Sequence, residues 1–137
     1  MSGKLSILNY QLSMEKKFDL EQRTEEFADK IIEFAKKMPN IPLYFRIISQ
    51  LIGAGTSIGA NYCEATEAES NDDFIHKISI SKKEAKETKF WLKRIIYAET
   101  RFKSEAEILW KEANELHLIF SKIVRTCRLN KKKKNNN

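Results

Sequence analysis

Lys82, Lys86, Lys89 and Lys93 recur at steps of four, three and four, a spacing that lines four ammonium groups along one edge of a helix. Lys83 and Arg94 flank them. Such an edge suits a phosphate backbone, because each cation that neutralises a phosphate releases condensed counterions. A charge run on a helix also serves simply as a solvated face. A second basic set closes the chain: Arg125, Arg128, Lys131, Lys132, Lys133 and Lys134, with no acid after Arg125. These ten side chains are the candidate nucleic-acid-binding residues.

Other chemistry finds weaker support. The segment Gly53-Ala54-Gly55-Thr56-Ser57-Ile58-Gly59-Ala60-Asn61 holds three of the four glycines. A phosphate loop needs a strand before it and, in the P-loop, a Gly-Lys-Ser/Thr ending, whereas here an apolar helical stripe runs straight through. Small residues on consecutive turns instead let a neighbouring helix approach closely, with Gly55 and Gly59 at the contact. Gln50, Ser57, Asn61 and Glu64 form a polar line on the same helix, and Lys77, Ile80, Glu84, Glu87 and Trp91 form another on the next. Polar residues beside an apolar seam are expected to set register or to sit in helix or subunit contacts. Carboxylates such as Glu64, Glu84 and Glu87 also serve metals or acid–base catalysis. The di-iron bundle site, however, requires two Glu-x-x-His motifs, and neither His76 nor His117 follows a glutamate at that spacing. Asp73 before His76 is a single approximation to the motif. No Ser, Cys and His grouping marks a nucleophile. The expectation is a non-enzymatic protein with no catalytic residue, metal or cofactor.

The elements that carry these residues follow from composition and period. The 137 residues allow one domain of ordinary size. Four glycines and two prolines are too few for the turns of a sandwich or barrel, so the fold class is all-α. Net charge is +6, but the six basic residues from Arg125 onward account for the whole excess, leaving 19 basic residues against 19 acids before them. No apolar run approaches the roughly 20 residues that span a bilayer. The N-terminus also lacks a basic segment leading into an apolar signal core, so a soluble, cytoplasmic protein without a membrane partner is expected. Cys63 and Cys127 lie 64 positions apart in apolar helical patterns, and both read as buried, reduced thiols.

Residues 1–17 show no sustained period and are assigned to an N-terminal arm. Leu20, Thr24, Phe27, Ile31, Phe34 and Met38 predict a helix over 19–38, opened by a capping box of Asp19 with Gln22 and stopped by Pro39. Tyr44, Ile47, Leu51, Ala54 and Ile58 predict a second over 42–70, beginning at Pro42. Phe74, Ile78, Ser81, Ala85, Thr88, Leu92 and Ile95 predict a third over 71–99, with Asn71 as its cap. A Ser104 and Glu107 capping box opens a fourth over 104–129, striped by Leu109, Ala113, Leu116, Phe120, Ile123 and Cys127. Short loops return each helix alongside its predecessor, giving an antiparallel up-down-up-down four-helix bundle over 18–129. The Lys/Asn tail, 130–137, has nothing apolar to bury and is expected to be disordered. Ile32, Ala35, Ile48, Ile52, Phe90, Trp91, Leu118 and Ile119 fall outside the main stripes and suggest surface reserved for further subunits.

Two of these helices carry a family resemblance. The stretch from Gln50 to Ala65, QLIGAGTSIGANYCEA, and that from Asp73 to Leu92, DFIHKISISKKEAKETKFWL, closely resemble the bacterial four-helix-bundle proteins named for intervening sequences of 23S rRNA genes. The matched positions are Gln50, Ser57-Ile58, Asn61 and Glu64 on one helix. On the next they are Asp73-Phe74, Lys83-Glu84-Ala85, Glu87-Thr88 and Trp91-Leu92, and Phe18-Asp19-Leu20 is similar to the usual opening. The resemblance implies a ring-like homopentamer. It also implies kinship with the basic accessory proteins of diversity-generating retroelements, which bind nucleic acid and a polymerase. The function expected from both lines is an oligomeric adaptor that binds RNA or structured nucleic acid through lysine-rich surfaces. A protein–protein interaction scaffold that binds no nucleic acid is the alternative.

Overall fold

A computed structural model of the chain describes residues 19–136. The arm assigned to 1–17 lies outside them. The described residues form four α-helices, α1 (Leu20–Lys36), α2 (Pro42–Thr66), α3 (Asn71–Ala98) and α4 (Lys103–Asn135), with a 3₁₀ turn at Thr100–Phe102 and no strand among them. The all-α class follows directly.

Each helix begins where local chemistry permits. Asp19 accepts a hydrogen bond from the Glu21 amide at 2.9 Å and caps α1. Gln22 does not complete a capping box, because its side-chain amide donates to Glu26 at 3.0 Å instead. Pro42 opens α2, where its missing N–H loses no helical hydrogen bond. α2 ends at Thr66 rather than 70, and the cap of α3 is Ser70, not Asn71: the Ser70 hydroxyl accepts from the Asp73 amide at 3.1 Å. The Ser104 and Glu107 box is absent as well, since the 3₁₀ turn winds directly into α4 and puts Phe102 at the cap position.

The core is the set of stripes meeting along the axis. On α3 the heptad positions Phe74, Ile78, Ser81, Ala85, Thr88, Leu92 and Ile95 are all buried. α2 buries pairs of adjacent residues, Ala54 with Gly55 and Ile58 with Gly59, because it faces α1 on one side and α3 on the other. α3 lies between α2 and α4, while α1 rests mainly on α2 and touches α4 lightly. Cross-helix pairs fix the register. Lys37 meets Glu105 while Arg23 meets Glu112, Tyr44 meets Glu99, and the Ser81 hydroxyl donates to the Ile58 carbonyl at 2.9 Å. Cys127 is buried but Cys63 is only half-buried, and both are free thiols.

The C-terminal end departs most from expectation. α4 continues helical to Asn135, through residues assigned to a disordered tail. Lysine is a good helix former, and cations in the last turn complement the helix dipole. The Lys131 ammonium also reaches Asp72 at the start of α3, 2.6 Å away, which ties the extension to the bundle. The last core residue is Cys127, so the eight residues after it carry α4 about 12 Å beyond the packed region at 1.5 Å per residue.

Candidate functional site

The α3 lysines do not stand alone in solvent. Lys82 and Lys89 are half-buried against α4, whereas Lys86 and Lys93 are exposed. The Lys89 ammonium donates to the Asn114 side-chain oxygen at 3.0 Å and lies 3.4 Å from Nδ1 of His117. It is also 5.6 Å from the Trp110 ring centre, and the Lys93 ammonium is 5.2 Å from the same ring, both within cation–π range. An ammonium has no lone pair, so Nδ1 of His117 must accept, which fixes the neutral tautomer with its proton on Nε2. Electrostatics agree. Burial pushes the His117 pKa below its ordinary value, and Lys89, Lys82 and Lys86 push it further in the same direction. Burial and the neighbouring Lys86 likewise lower the pKa of Lys89.

On α4 the residues facing this edge are Trp110, Asn114, His117, Ser121, Arg125, Arg128 and Lys132, at steps of four, three, four, four, three and four. Arg125, Arg128, Lys132, Lys133 and Lys134 are exposed, and Lys131 pairs with Asp72. The helical C-terminus therefore aligns three of its basic residues, Arg125, Arg128 and Lys132, with the α3 lysines, and turns Lys131, Lys133 and Lys134 elsewhere around the helix. The carboxylates of Glu112 and Glu115 on α4 are turned the other way, onto Arg23 of α1. That leaves the α3–α4 edge basic. Sequence reasoning found the lysines and missed Trp110, Asn114 and His117.

The second group of candidates lies along α2 and α3. An ideal Cβ on Gly55 would come within 2.9 Å of the Ile31 side chain, and one on Gly59 within 2.9 Å of the Thr24 hydroxyl, so α1 presses on both. Gly53 faces open space. Ser57 and Asn61 spend their polar groups on α2 itself: the Ser57 hydroxyl donates to the Gly53 carbonyl, and the Asn61 amide to the Ser57 carbonyl at 2.9 Å. Glu64 reaches Lys77 across the α2–α3 seam at 3.5 Å. Gln50, Glu84 and Glu87 are half-buried. Burial and the adjacent Glu87 raise the pKa of Glu84, partly opposed by Lys83. The Trp91 indole nitrogen is buried and has no hydrogen-bond partner among the described residues.

The family described as 23S rRNA-intervening sequence protein matches residues 16–122. The chain belongs to this family. Among solved structures, this family member is similar to a protein of unknown function from the S23 ribosomal protein family of Bacteroides thetaiotaomicron. The two share 34% identity over 77% of this chain and 98% of that one, with a TM-score of 0.72. Among curated proteins none matches. Among the described residues there is no group of three or more His, Cys, Asp or Glu placed to hold a metal. None of the described helices is long and apolar enough to cross a membrane.

Proposed function

We propose that the protein is a non-enzymatic homo-oligomer of up-down-up-down bundles that binds RNA or structured nucleic acid along its α3–α4 edge. The observation that carries this reading is the charge pattern of that edge. Lys82, Lys86, Lys89 and Lys93 on α3 and Arg125, Arg128 and Lys132 on α4 share it, and no carboxylate occupies a position of either line from Ile75 to Lys93 or from Trp110 to Lys132: Glu84 and Glu87 fall beside the first, and Glu112 and Glu115 pair with Arg23. Residues 1–124 are neutral only with the four α3 lysines counted, so a basic edge of this kind concentrates positive charge where a phosphate backbone can follow it. The cross-helix pairs described above support the alternating helix directions. Five subunits is the number the family resemblance implies, and a ring would multiply modest contacts through avidity.

One observation favours the scaffold alternative. Leu43 is 72% exposed, Phe45 51% and Ile41 44%, and Phe45 lines a shallow apolar groove with Ile48, Ile52 and Met38. This face suits a protein contact and is the natural place for self-association.

The deciding experiment is RNA binding by the intact protein across salt concentrations, beside a native mass measurement. Each neutralised phosphate of a single strand adds about −0.7 to the slope of log affinity against log salt. Replacing Lys82, Lys86, Lys89 and Lys93 by glutamine is expected to flatten the slope by about 3 at most, and deleting residues 131–137 by a similar amount or less. An intact protein that shows no salt-sensitive association with RNA or DNA overturns the reading in favour of the scaffold.

A further inference from the structure

The lysines of the α3–α4 edge are not interchangeable cations, because Lys89 is engaged with a histidine that cannot share its charge. We propose that the α3–α4 seam holds one phosphodiester of a nucleic-acid strand between Lys82, Lys86, Lys89 and His117, and that His117 takes up a proton when the phosphate arrives. The proposal rests on the nucleic-acid reading and adds to it a particular site and a proton.

The geometry gives the reason. In the free protein the Lys89 ammonium fills the space beside Nδ1 of His117 and is fixed there by the Asn114 oxygen and the Trp110 ring. Three cations of α3, Lys82, Lys86 and Lys89, act on the imidazole, and all three oppose its protonation. No carboxylate is among the groups that act on the imidazole: on α4 the neighbouring Glu112 and Glu115 are paired with Arg23 of α1, Glu84 and Glu87 of α3 stand off the line of the lysines, and α2 meets α4 there through the Tyr62 ring on that of Phe120. His117 is thus a half-buried base in a positive field, held neutral by its neighbours. An anion placed among these cations reverses the field. Lys89 is then drawn from Nδ1 to the phosphate oxygens, Nδ1 becomes free to carry a proton, and the imidazolium donates to the same anion as a charge-assisted hydrogen bond. Mass balance is simple, since one proton moves from solvent to Nδ1 and no bond of the phosphodiester changes. By linkage, binding that takes up a proton strengthens as pH falls.

Trp110 has a part that needs no stacked base. Its ring lies beneath both Lys89 and Lys93, so it restrains two ammonium groups that otherwise sample many rotamers and lowers the entropy cost of meeting a phosphate. It also makes the seam visible, because movement of Lys89 and Lys93 off the ring changes the environment of the indole.

The test uses the intact protein and an oligouridylate, whose phosphodiesters and bases do not titrate between pH 7.5 and 5.5. Affinity is measured at both pH values at fixed ionic strength for the natural sequence, His117→Gln and His76→Gln, His76 being the other histidine. The natural protein and His76→Gln are expected to bind roughly five- to tenfold more tightly at pH 5.5, a tenfold gain matching a one-unit rise in the His117 pKa on binding. His117→Gln is expected to lose most of that gain. The imidazole resonances of the unsubstituted protein, followed with and without oligouridylate, provide a readout independent of any variant, and the His117 titration is expected to move to higher pH. Sulfate alone at millimolar concentration is expected to leave that titration in place. Equal pH gains in His117→Gln and the natural protein, or an unmoved His117 resonance at saturation, overturn the seam site while the salt-dependent binding stands. A shift produced equally by sulfate overturns the assignment to a nucleic-acid strand. No binding of oligouridylate at either pH overturns this proposal and the nucleic-acid reading together.

Discussion

Three glycines within seven residues of α2 meet three different surroundings, and alanine at each should reveal the difference. Gly53 is exposed with nothing near its missing Cβ, so Gly53→Ala gains helix propensity alone and is expected to stabilise by about 0.5–1 kcal/mol. Gly55 faces fully buried Ile31, whose Cγ1, Cγ2 and Cβ would lie 2.9, 3.0 and 3.2 Å from a new Cβ. Ile31 is β-branched and stiff at χ1 in a helix, so it cannot swing away. Gly59 faces Thr24, with Oγ1 at 2.9 Å and Cβ at 3.0 Å. The Thr24 hydroxyl is already committed to the Glu21 carbonyl at 2.9 Å. At both positions the same propensity gain is opposed by overpacking of about 1–3 kcal/mol, and the net expectation is a loss of up to about 2 kcal/mol. Thermal melts at one fixed protein concentration read this out at roughly 3–6 °C per kcal/mol for a domain of this size. A double-mutant cycle isolates the contact. Ile31→Ala alone is expected to cost about 2–5 kcal/mol, and Gly55→Ala added to it less than the sum by about 1 kcal/mol, since the new methyl enters space that Ile31 vacates. Stabilisation by Gly55→Ala and Gly59→Ala equal to that of Gly53→Ala would refute the account of the α1–α2 contact.

Three further outcomes can be checked on the same material. Arg23 forks onto Glu112 through two hydrogen bonds of 2.8 Å and also bonds Glu115, so Arg23→Ala should cost about 1.5–3 kcal/mol in chemical denaturation, with Arg23→Lys recovering only part because one ammonium cannot make the fork. Burial pushes the Cys127 thiol up to about 11, and burial with Glu21 and Glu25 also raises half-buried Cys63, so a thiol reagent at pH 7.5 should label both slowly, Cys63 first and Cys127 only on unfolding. Because the folded protein lowers the His117 pKa from its ordinary 6.5, stability is present above that pH and is lost as pH falls through the lower folded value. Melting temperatures stepped from pH 7 to 5 should therefore fall less steeply in His117→Gln than in the natural protein.

The fold was legible because its core repeats in the chain. All seven apolar or small positions assigned to the seam of α3 are buried, and Leu20, Thr24, Phe27, Ile31 and Phe34 line the inside of α1. Helix ends were read less well, for reasons of local competition. Ser70 and Asn71 both offer a capping oxygen, and nothing in the sequence decides which residue takes the extended backbone that a cap requires. Burial gives no sign of the helical Lys131 to Lys134 run, whose side chains are all exposed. Helix propensity, the dipole and a single ion pair to Asp72 act there without burying anything.

The candidate site was half legible, and the missing half has a numerical cause. Lysines at four-three-four spacing on α3 conform to the same heptad rhythm as the core and are noticed with it. On α4 Trp110, Asn114, His117 and Ser121 keep the same four-three-four spacing but are uncharged and differ in type, so they do not stand out as one surface. The line then steps four to Arg125, and over the 22 residues from Trp110 to Lys132 its six steps average about 3.7 residues, so a strict heptad continued past Ser121 reaches Val124 and passes over Arg125. The core stripe of α4 shows the same drift, since Ile123 and its neighbour Val124 are both buried where a strict heptad would bury only one. Once α4 is taken as straight, Asn114 and His117 fall on the edge beside Lys89, and Arg125 and Arg128 fall in line after them. Cation count alone would rank Lys131 to Lys134 first among the basic residues. Position reverses that order, because only Lys132 of those four falls on the edge, while Lys89, pinned by Asn114, His117 and Trp110, has its direction set before any phosphate arrives.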